Sequence, residues 1–309
     1  MQKIFSFITS IRPVNLIIIV LTQCLVRYCI ILPAYEVEKN YTGLYPLHMS
    51  EEYFFMLVFS TVLIAAAGYI LNDNIDASID GINKPRKKSF AANISRSSAI
   101  NIYIILTSIA VAIAFFIADS ILNFWLGFVQ VGSSVLLALY SGVLKKIPFL
   151  GNVTVALLSA LVPATAGLYE PSFYPNFTPY ISIYVGFAFL ISLIREIVKD
   201  VEDTEGDKIS GRKTIPLTLG MSTTKVILMV LIILTALGAG KVVYDFFYSY
   251  TVYSFWKILA AFEIPLLLLL GLTWRAREKK DFSLLSTSLK IFMLLGILTM
   301  VPLYHLITS

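Results

Sequence analysis

Charged residues are scarce in this sequence, and so are cysteine and histidine. Only 14% of its 309 residues are Asp, Glu, Lys or Arg, whereas 58% are hydrophobic. A soluble domain needs far more polar surface than that, so the composition excludes one. With only Cys24, Cys29, His48 and His305, the chain has no disulfide framework and no Cys/His pattern for zinc. Catalysis by histidine is not expected, because neither histidine has a candidate partner nearby in the sequence.

Long apolar runs take the place of polar surface, and the mean hydropathy of +0.82 reflects them. Nine runs are long enough, or nearly so, to cross a bilayer. They cover residues 14–32, 53–71, 98–118, 121–144, 152–169, 179–199, 223–244, 254–274 and 283–307. No soluble module or low-complexity linker separates them. The sequence therefore predicts an all-α, polytopic membrane protein with nine transmembrane helices, folded as a single integral-membrane domain over residues 1–309.

Positive charge is nearly absent from one set of connections between these runs. If the N-terminus is cytoplasmic, the inner loops carry most Lys and Arg residues, at 84–96, 145–146, 208–225 and 275–280, while the outer segments carry mainly acids. This is the positive-inside bias. It predicts a protein of the cell inner membrane whose N-terminus and basic loops are cytoplasmic. Because topology explains the net charge of +5, no nucleic-acid partner is predicted.

Two trios of aspartates share one spacing. They are Asp73, Asp76 and Asp80, and Asp200, Asp203 and Asp207, each at i, i+3 and i+7. At about 100° per residue, each trio falls within roughly a 60° sector of a helix. Carboxylates so close together repel one another unless a cation is present, and Mg²⁺ is typically held by a few carboxylates and substrate phosphates. The spacing therefore predicts a paired metal–diphosphate site at the membrane.

Asn72 forms a second set of candidate ligands with two aspartates of the first trio, and this set is more closely aligned along one face of the helix. Asn72, Asp76 and Asp80 lie at i, i+4 and i+8, and an amide oxygen with two carboxylates suits a hard cation. Gly81 and Pro85 are predicted to end this helix. A solvated helix end is the alternative explanation for one such cluster, but two matching clusters on the same side of the membrane favour a ligand site.

The second trio has both acidic and basic neighbours. Glu196 lies four residues before Asp200 and extends the acidic stripe, whereas Arg195 and Lys199 flank it. These two cations can either neutralise the acids or reach a phosphate, and both interpretations remain open. Asp207 is expected just beyond the regular helix, because glycines loosen this segment.

A transporter or lipid-binding scaffold is the main alternative from another functional class. Such a protein would carry ionisable residues near the middle of its spans. Here the acids cluster at span ends instead, which favours an enzyme that acts at the membrane surface.

Three motifs of this chain resemble those of the UbiA-type membrane prenyltransferases. The first is N-D-x-x-D-x-x-x-D at 72–80 followed by N-K-P-x-x-K at 83–88. The second is the stretch 195–216, with D-x-x-x-D at 203–207 and a G-R-K-T turn, and the third is Y-S-x-x-L-K at 140–145. The motifs occur in the family's order, and the resemblance covers essentially the whole chain.

The resemblance implies a role for each motif residue. A central cavity in the nine-helix bundle would hold two Mg²⁺ ions and an isoprenyl diphosphate at its cytoplasmic mouth. One Mg²⁺ would be bound by Asn72, Asp76 and Asp80, and the other by Asp203 and Asp207 with Asp200 or Glu196. Contacts with the diphosphate would come from Lys84, Arg86, Tyr140, Lys145 and Lys199. The aspartates expected to be catalytic are Asp73, Asp76, Asp200 and Asp203, with Asp73 acting through water or a basic partner.

The acceptor is suggested by finer similarities. The opening I-R-P-V-N at 11–15 resembles the starts of members that make archaeal-type ether lipids and of some homogentisate-type members, and the run 195–203 resembles the geranylgeranylglycerol-phosphate geranylgeranyltransferase branch. This implies Mg²⁺-dependent transfer of a geranylgeranyl group to a geranylgeranylglyceryl phosphate-like lipid, with Arg12 and Asn15 as acceptor-side candidates. Prenylation of an aromatic quinone precursor and membrane terpene cyclisation remain alternatives. Membrane lipid is an expected partner, and no obligate protein partner is predicted.

Overall fold

The computed structural model describes residues 10–43, 48–77, 91–171, 177–247 and 252–308. Every regular element in these ranges is helical, which confirms the predicted all-α fold. The first helices are α1 (Pro13–Val26), α2 (Leu32–Thr42), α3 (Glu51–Ile75), α4 (Arg96–Ser120), α5 (Gly127–Gly142) and α6 (Leu150–Leu168). They are followed by α7 (Thr178–Glu202), α8 (Thr204–Ile209), α9 (Ile215–Phe247), α10 (Val252–Arg275), α11 (Lys279–Leu298) and α12 (Met300–Thr308).

Two of the long helices begin at serine caps. The Ser50 hydroxyl accepts a hydrogen bond from the Tyr53 N–H at 3.4 Å at the start of α3. At the start of α4, the Ser95 hydroxyl accepts one from the Ser98 N–H at 3.1 Å. Each cap satisfies an N–H group that has no partner within its helix. The sequence therefore sets the starting point of both helices locally.

Eight helical segments in the described ranges are long and apolar enough to cross a membrane. They are Pro13–Thr42, Glu51–Ile75, Arg96–Ser120, Phe124–Gly142, Leu150–Leu168, Thr178–Glu202, Ile215–Asp245 and Lys279–His305. Each coincides with one of the predicted runs, and α10 coincides with the remaining run, 254–274. The chain is an integral membrane protein with a helical bundle, and the predicted count of nine spans is approximate.

The two helices that carry the acidic clusters have the same length and the same kind of ending. Both α3 and α7 have 25 residues. After α3, Asp76 adopts φ −89° and ψ 4°, and after α7, Asp203 adopts φ −97° and ψ 5°. This bridge region is sparsely populated and is often used by active-site residues. The regular part of α3 ends at Ile75, and Gly81 and Pro85, which the sequence predicts to end this helix, lie outside the described residues.

The described helices belong to two compact units. The first unit comprises Met1–Lys145, Ala160–Val185 and Ile297–Ser309. In it, α3 packs against α1, α4 and α5. The approach of α3 to α5 is close at Gly68, where a Cβ atom would lie 3.0 Å from the Leu137 side chain. Because α3 has neighbours on several sides, packing within the first unit positions its acidic end.

The second unit comprises Lys146–Ser159 and Gly186–Gly296. Its core combines side chains of α6, α7, α9, α10 and α11, and the buried members from α7 are Ile191, Leu193, Ile194, Ile197, Val198 and Val201. All of these except Leu193 share one apolar face of α7, and helical periodicity places positions 196, 200 and 203 on the opposite face. An apolar cavity of about 640 Å³ lies between α9 and α10, away from these acids.

A buried ion pair lies within the first unit near the N-terminal end of α3, away from the acidic cluster. Arg27, in a π-helical turn between α1 and α2, donates to Glu170 at 2.7 Å, and both side chains are at most 1% exposed. Arg27 also donates to the Met49 carbonyl at 2.6 Å and stacks 4.7 Å from the centre of the Phe54 ring. Burial raises the pKa of Glu170, while the Met49 N–H, which donates to it at 3.0 Å, opposes that rise.

Candidate active site

Lys145 connects two of the predicted metal ligands. Its Nζ atom donates to Asn72 Oδ1 at 3.0 Å and to Asp76 Oδ1 at 2.7 Å. Lys145 lies in the 3₁₀ turn after α5 and is only 8% exposed. Asn72 and Asp76 therefore direct their oxygen atoms at one point, as the i, i+4 spacing predicts, and a positive charge already lies there.

Asp73, the neighbouring residue on α3, has a different partner. Its fully buried carboxylate accepts a hydrogen bond from Arg12 at 2.7 Å. The Arg12 guanidinium also lies 4.9 Å from the centre of the Tyr69 ring, and Asn15 donates to the Tyr69 hydroxyl at 3.3 Å. The basic partner anticipated for Asp73 is thus Arg12, and both predicted acceptor-side residues lie beside α3.

Asn74 is a site residue that the sequence reasoning missed. Its amide donates to the carbonyl oxygens of Ala91 at 2.7 Å and Ile94 at 3.0 Å. The Ala91 N–H in turn donates to the Ser10 hydroxyl at 3.3 Å. Asn74 thus ties the end of α3 to the segment before α4. Only its position inside the first motif could have indicated such a role.

In the second unit, Asp200 is held by a residue that no motif contains. Asn152 of α6 donates to Asp200 Oδ2 at 2.8 Å. The negative charges of Glu196, Asp207 and Asp203 all act on Asp200. A neutral amide is therefore what orients Asp200, and the surrounding acids give this site a strong demand for a cation.

The other members of the second cluster have basic partners nearby. Glu196 accepts hydrogen bonds from Lys199 at 2.5 Å and from Arg195 at 3.3 Å. These contacts favour the interpretation that the two cations neutralise the charge of Glu196. Asp207, in the short helix α8, is 3% exposed and accepts from Arg212 at 3.3 Å. Asp207 thus lies just beyond the regular helix, as predicted.

The remaining predicted residues are Tyr140, which the structure describes, and three residues outside the described ranges. Tyr140 is half-buried near the C-terminal end of α5. Asp80, Lys84 and Arg86 lie outside the described residues. Their predicted roles therefore stay predictions.

The donor atoms of the first cluster suit a hard metal ion. Within the described residues, no three Asp, Glu, His or Cys side chains converge on one point that a metal could occupy. Asn72 and Asp76 nevertheless direct oxygen atoms at their shared point, and Mg²⁺ prefers oxygen ligands. The Lys145 ammonium group at this point shows that these oxygen atoms bind a cation. These residues therefore fit Mg²⁺ once Lys145 moves or shares its position.

Comparison with known proteins identifies the family. A sequence model described as the UbiA prenyltransferase family matches residues 44–296. This chain belongs to the UbiA prenyltransferase family. The match extends across residues of both compact units and includes both acidic clusters, so the chain is a prenyl-transferring enzyme of the membrane.

Curated UbiA relatives include enzymes named digeranylgeranylglyceryl phosphate synthase. The one from Methanothermobacter thermautotrophicus is 34% identical over 224 residues, which cover 72% of this chain and 69% of the relative. The one from Saccharolobus solfataricus is 35% identical over 57% of this chain and 61% of the relative. The aligned part of this chain thus spans about two thirds of the length of these relatives.

Solved UbiA structures share the fold. A structure described as a digeranylgeranylglyceryl phosphate synthase has a TM-score of 0.67 and 23% identity, with 98% of this chain and 99% of that chain covered. A UbiA homologue from Archaeoglobus fulgidus, bound to DMAPP and Mg²⁺, has a TM-score of 0.63 and 17% identity over 94% of this chain and 99% of that one.

Proposed function

We propose that this UbiA enzyme transfers a geranylgeranyl group from its diphosphate to a geranylgeranylglyceryl phosphate-like acceptor in an Mg²⁺-dependent reaction. The acceptor assignment is supported by relatives that are named for this type of product. The observation that carries the site assignment is the convergence of Asn72 and Asp76 on the Lys145 ammonium. At this end of α3, two oxygen ligands together bind a positively charged group.

The proposed metal ligands lie in both units. Asn72, Asp76 and Asp80 would hold one Mg²⁺, and Asp203 and Asp207, assisted by Asp200 or Glu196, a second. Bound Mg²⁺ would supply charge neutralisation for the departing diphosphate. A homologue that binds Mg²⁺ with DMAPP supports an isoprenyl diphosphate donor. The presence of two ions is part of the proposal.

The chain's own residues would bind and orient the reactants. Lys145, already beside Asp76, is placed to turn from the carboxylate to an oxygen of the diphosphate, where its charge stabilises the leaving group. The allylic C–O bond breaks and the diphosphate leaves with the electron pair. The acceptor hydroxyl oxygen forms the new C–O bond and releases its proton.

We further propose that the two units serve this single reaction as parts of one domain, since the family match extends across residues of both. The basic loops that follow the acidic clusters support placing this chemistry at the cytoplasmic face of the cell inner membrane, with the N-terminus on the same side.

The proposal is tested with purified protein in lipid nanodiscs, labelled geranylgeranyl diphosphate and Mg²⁺. Parallel reactions contain geranylgeranylglyceryl phosphate, an aromatic acid or no acceptor, and mass spectrometry identifies the products. We expect a diether product only with the glycerophosphate acceptor. A prenylated aromatic product would contradict the proposed acceptor, and a cyclised product without acceptor would contradict transfer itself.

A further inference from the structure

Arg12 has an unusual backbone conformation for a residue with a side chain. It precedes α1 and adopts φ 52° and ψ 64°, in the left-handed region. Residues other than glycine, asparagine and aspartate rarely take this conformation, because the Cβ atom crowds the backbone. Strain of this kind persists where surrounding contacts hold the residue in place. The contacts of the Arg12 side chain show what holds it.

The guanidinium of Arg12 covers one face of the last turns of α3. It donates to Asp73 at 2.7 Å and lies 4.9 Å from the centre of the Tyr69 ring. Tyr69 and Asp73 are four residues apart, so they are neighbours on the helix surface. Asn15 donates to the Tyr69 hydroxyl at 3.3 Å. The N-terminal segment therefore contacts α3 at two successive turns, through Tyr69 and Asp73.

Asp73 needs this contact because its side chain is fully buried. A buried carboxylate that loses its cationic partner is strongly destabilised. Loss of Arg12 would remove the 2.7 Å ion pair that ties the end of α3 to the N-terminal segment, so that the rotation of this turn is fixed less well. Asn72 and Asp76 belong to the same turn, so a change in its rotation would disturb the point where their oxygen atoms meet.

We propose that Arg12 is a positioning residue that acts on the reaction through Asp73, by fixing the rotation of the metal-binding end of α3, and does not act on the acceptor. The inference rests on the proposed function. It replaces the sequence-based assignment of Arg12 to the acceptor side, since the guanidinium is directed at Asp73 and Tyr69.

The test compares Arg12→Asn, Asp73→Asn and the double variant. Asparagine is chosen because it tolerates the left-handed conformation, so that only the guanidinium is lost. The binding of Mn²⁺ is measured by electron paramagnetic resonance on protein in nanodiscs without any donor. Steady-state kinetics then give kcat and the KM of each substrate. Arg96→Asn, at an exposed arginine of α4, is the matched control.

We expect each single variant to weaken Mn²⁺ binding by about 10-fold, the lower end of the range seen when an outer partner of a metal ligand is lost. The double variant should be no weaker than either single variant, because both changes remove one interaction. The acceptor KM should not change. If Arg12→Asn does not fold, Asp73→Asn alone should still show weaker Mn²⁺ binding with an unchanged acceptor KM.

An additive loss in the double variant would overturn the inference, as would a raised acceptor KM on Arg12→Asn that persists with Asp73→Asn. Normal Mn²⁺ binding by Arg12→Asn would also overturn it. A wild-type protein without Mg²⁺-dependent transfer, but with coupled Mn²⁺ binding in the variants, would contradict only the proposed function. Active wild-type protein with uncoupled variants would contradict only the role of Arg12.

Discussion

The Lys145 ammonium lies 2.7 Å from Asp76 Oδ1, where the oxygen atoms of a predicted metal ligand set meet. Lysine and Mg²⁺ are therefore alternatives for the same carboxylate. Lys145 is thus a counter-ion for Asp76, and we propose that it becomes a source of positive charge for the diphosphate when the substrates bind.

Replacement of Lys145 by methionine should separate these two effects. We expect kcat to fall by about 10²–10³-fold, the loss typical when one group that stabilises developing charge is removed. The concentration of Mg²⁺ that gives half-maximal rate should fall as well, because a competing cation is gone. Initial rates over a range of Mg²⁺ concentrations measure both. Lys146→Met, at an exposed neighbour, is the control, and an unchanged kcat in Lys145→Met would exclude the role in catalysis.

Asp76 and Asp203, the residues at the two helix ends, should be indispensable. Asp76→Ala and Asp203→Ala are each expected to abolish turnover, because each removes a proposed metal ligand, while thermal unfolding shows a folded protein. The exposed Glu205 of α8 offers a matched control, and Glu205→Ala should keep normal activity. Full Mg²⁺-dependent activity in either aspartate variant would contradict the site assignment.

Asn152 should matter although no motif contains it. Asn152→Ala removes the amide that donates to Asp200 at 2.8 Å, so we expect a loss in kcat of about 10-fold, as for other residues that orient a ligand. Product formation by mass spectrometry gives the rate. Ser159→Ala on the same helix is the control, because the Ser159 hydroxyl donates only to the Val155 carbonyl of its own helix in the described contacts. Equal rates for both variants would argue against a role for Asn152.

The Arg27–Glu170 pair should govern stability and leave the chemistry unaffected. Glu170→Ala removes the buried carboxylate partner of Arg27 and leaves the longer contact with the Glu51 carboxylate at 3.4 Å; breaking a buried pair typically costs about 3–5 kcal/mol. Thermal unfolding in detergent should show the loss, whereas activity per folded molecule stays normal. Asp245→Ala breaks the exposed Lys241–Asp245 pair and should cost only about 0.3–0.5 kcal/mol. Similar unfolding temperatures for the two variants would contradict the importance of burial.

The sequence predicted what depends on periodicity and hydropathy. The helical class, the apolar spans and the approach of Asn72 to Asp76 all follow from spacing along one segment. The partners could not be predicted, because they come from distant segments. Arg12 and Asp73 are 61 positions apart, Asn152 and Asp200 are 48 apart, and Lys145 and Asp76 are 69 apart.

The equal lengths of α3 and α7 have a consequence for how a lipid substrate is handled. A helix of 25 residues is about 37 Å long at 1.5 Å per residue, whereas the hydrocarbon layer is about 30 Å thick. A helix of this length that runs along the bilayer normal would extend past the acyl chains and would bring its terminal aspartate to the depth of the lipid headgroups. An amphiphilic donor can present its diphosphate there while its hydrocarbon tail stays dissolved in the bilayer. The water-soluble diphosphate product then leaves directly into the aqueous phase, and the prenylated product never has to leave the lipid.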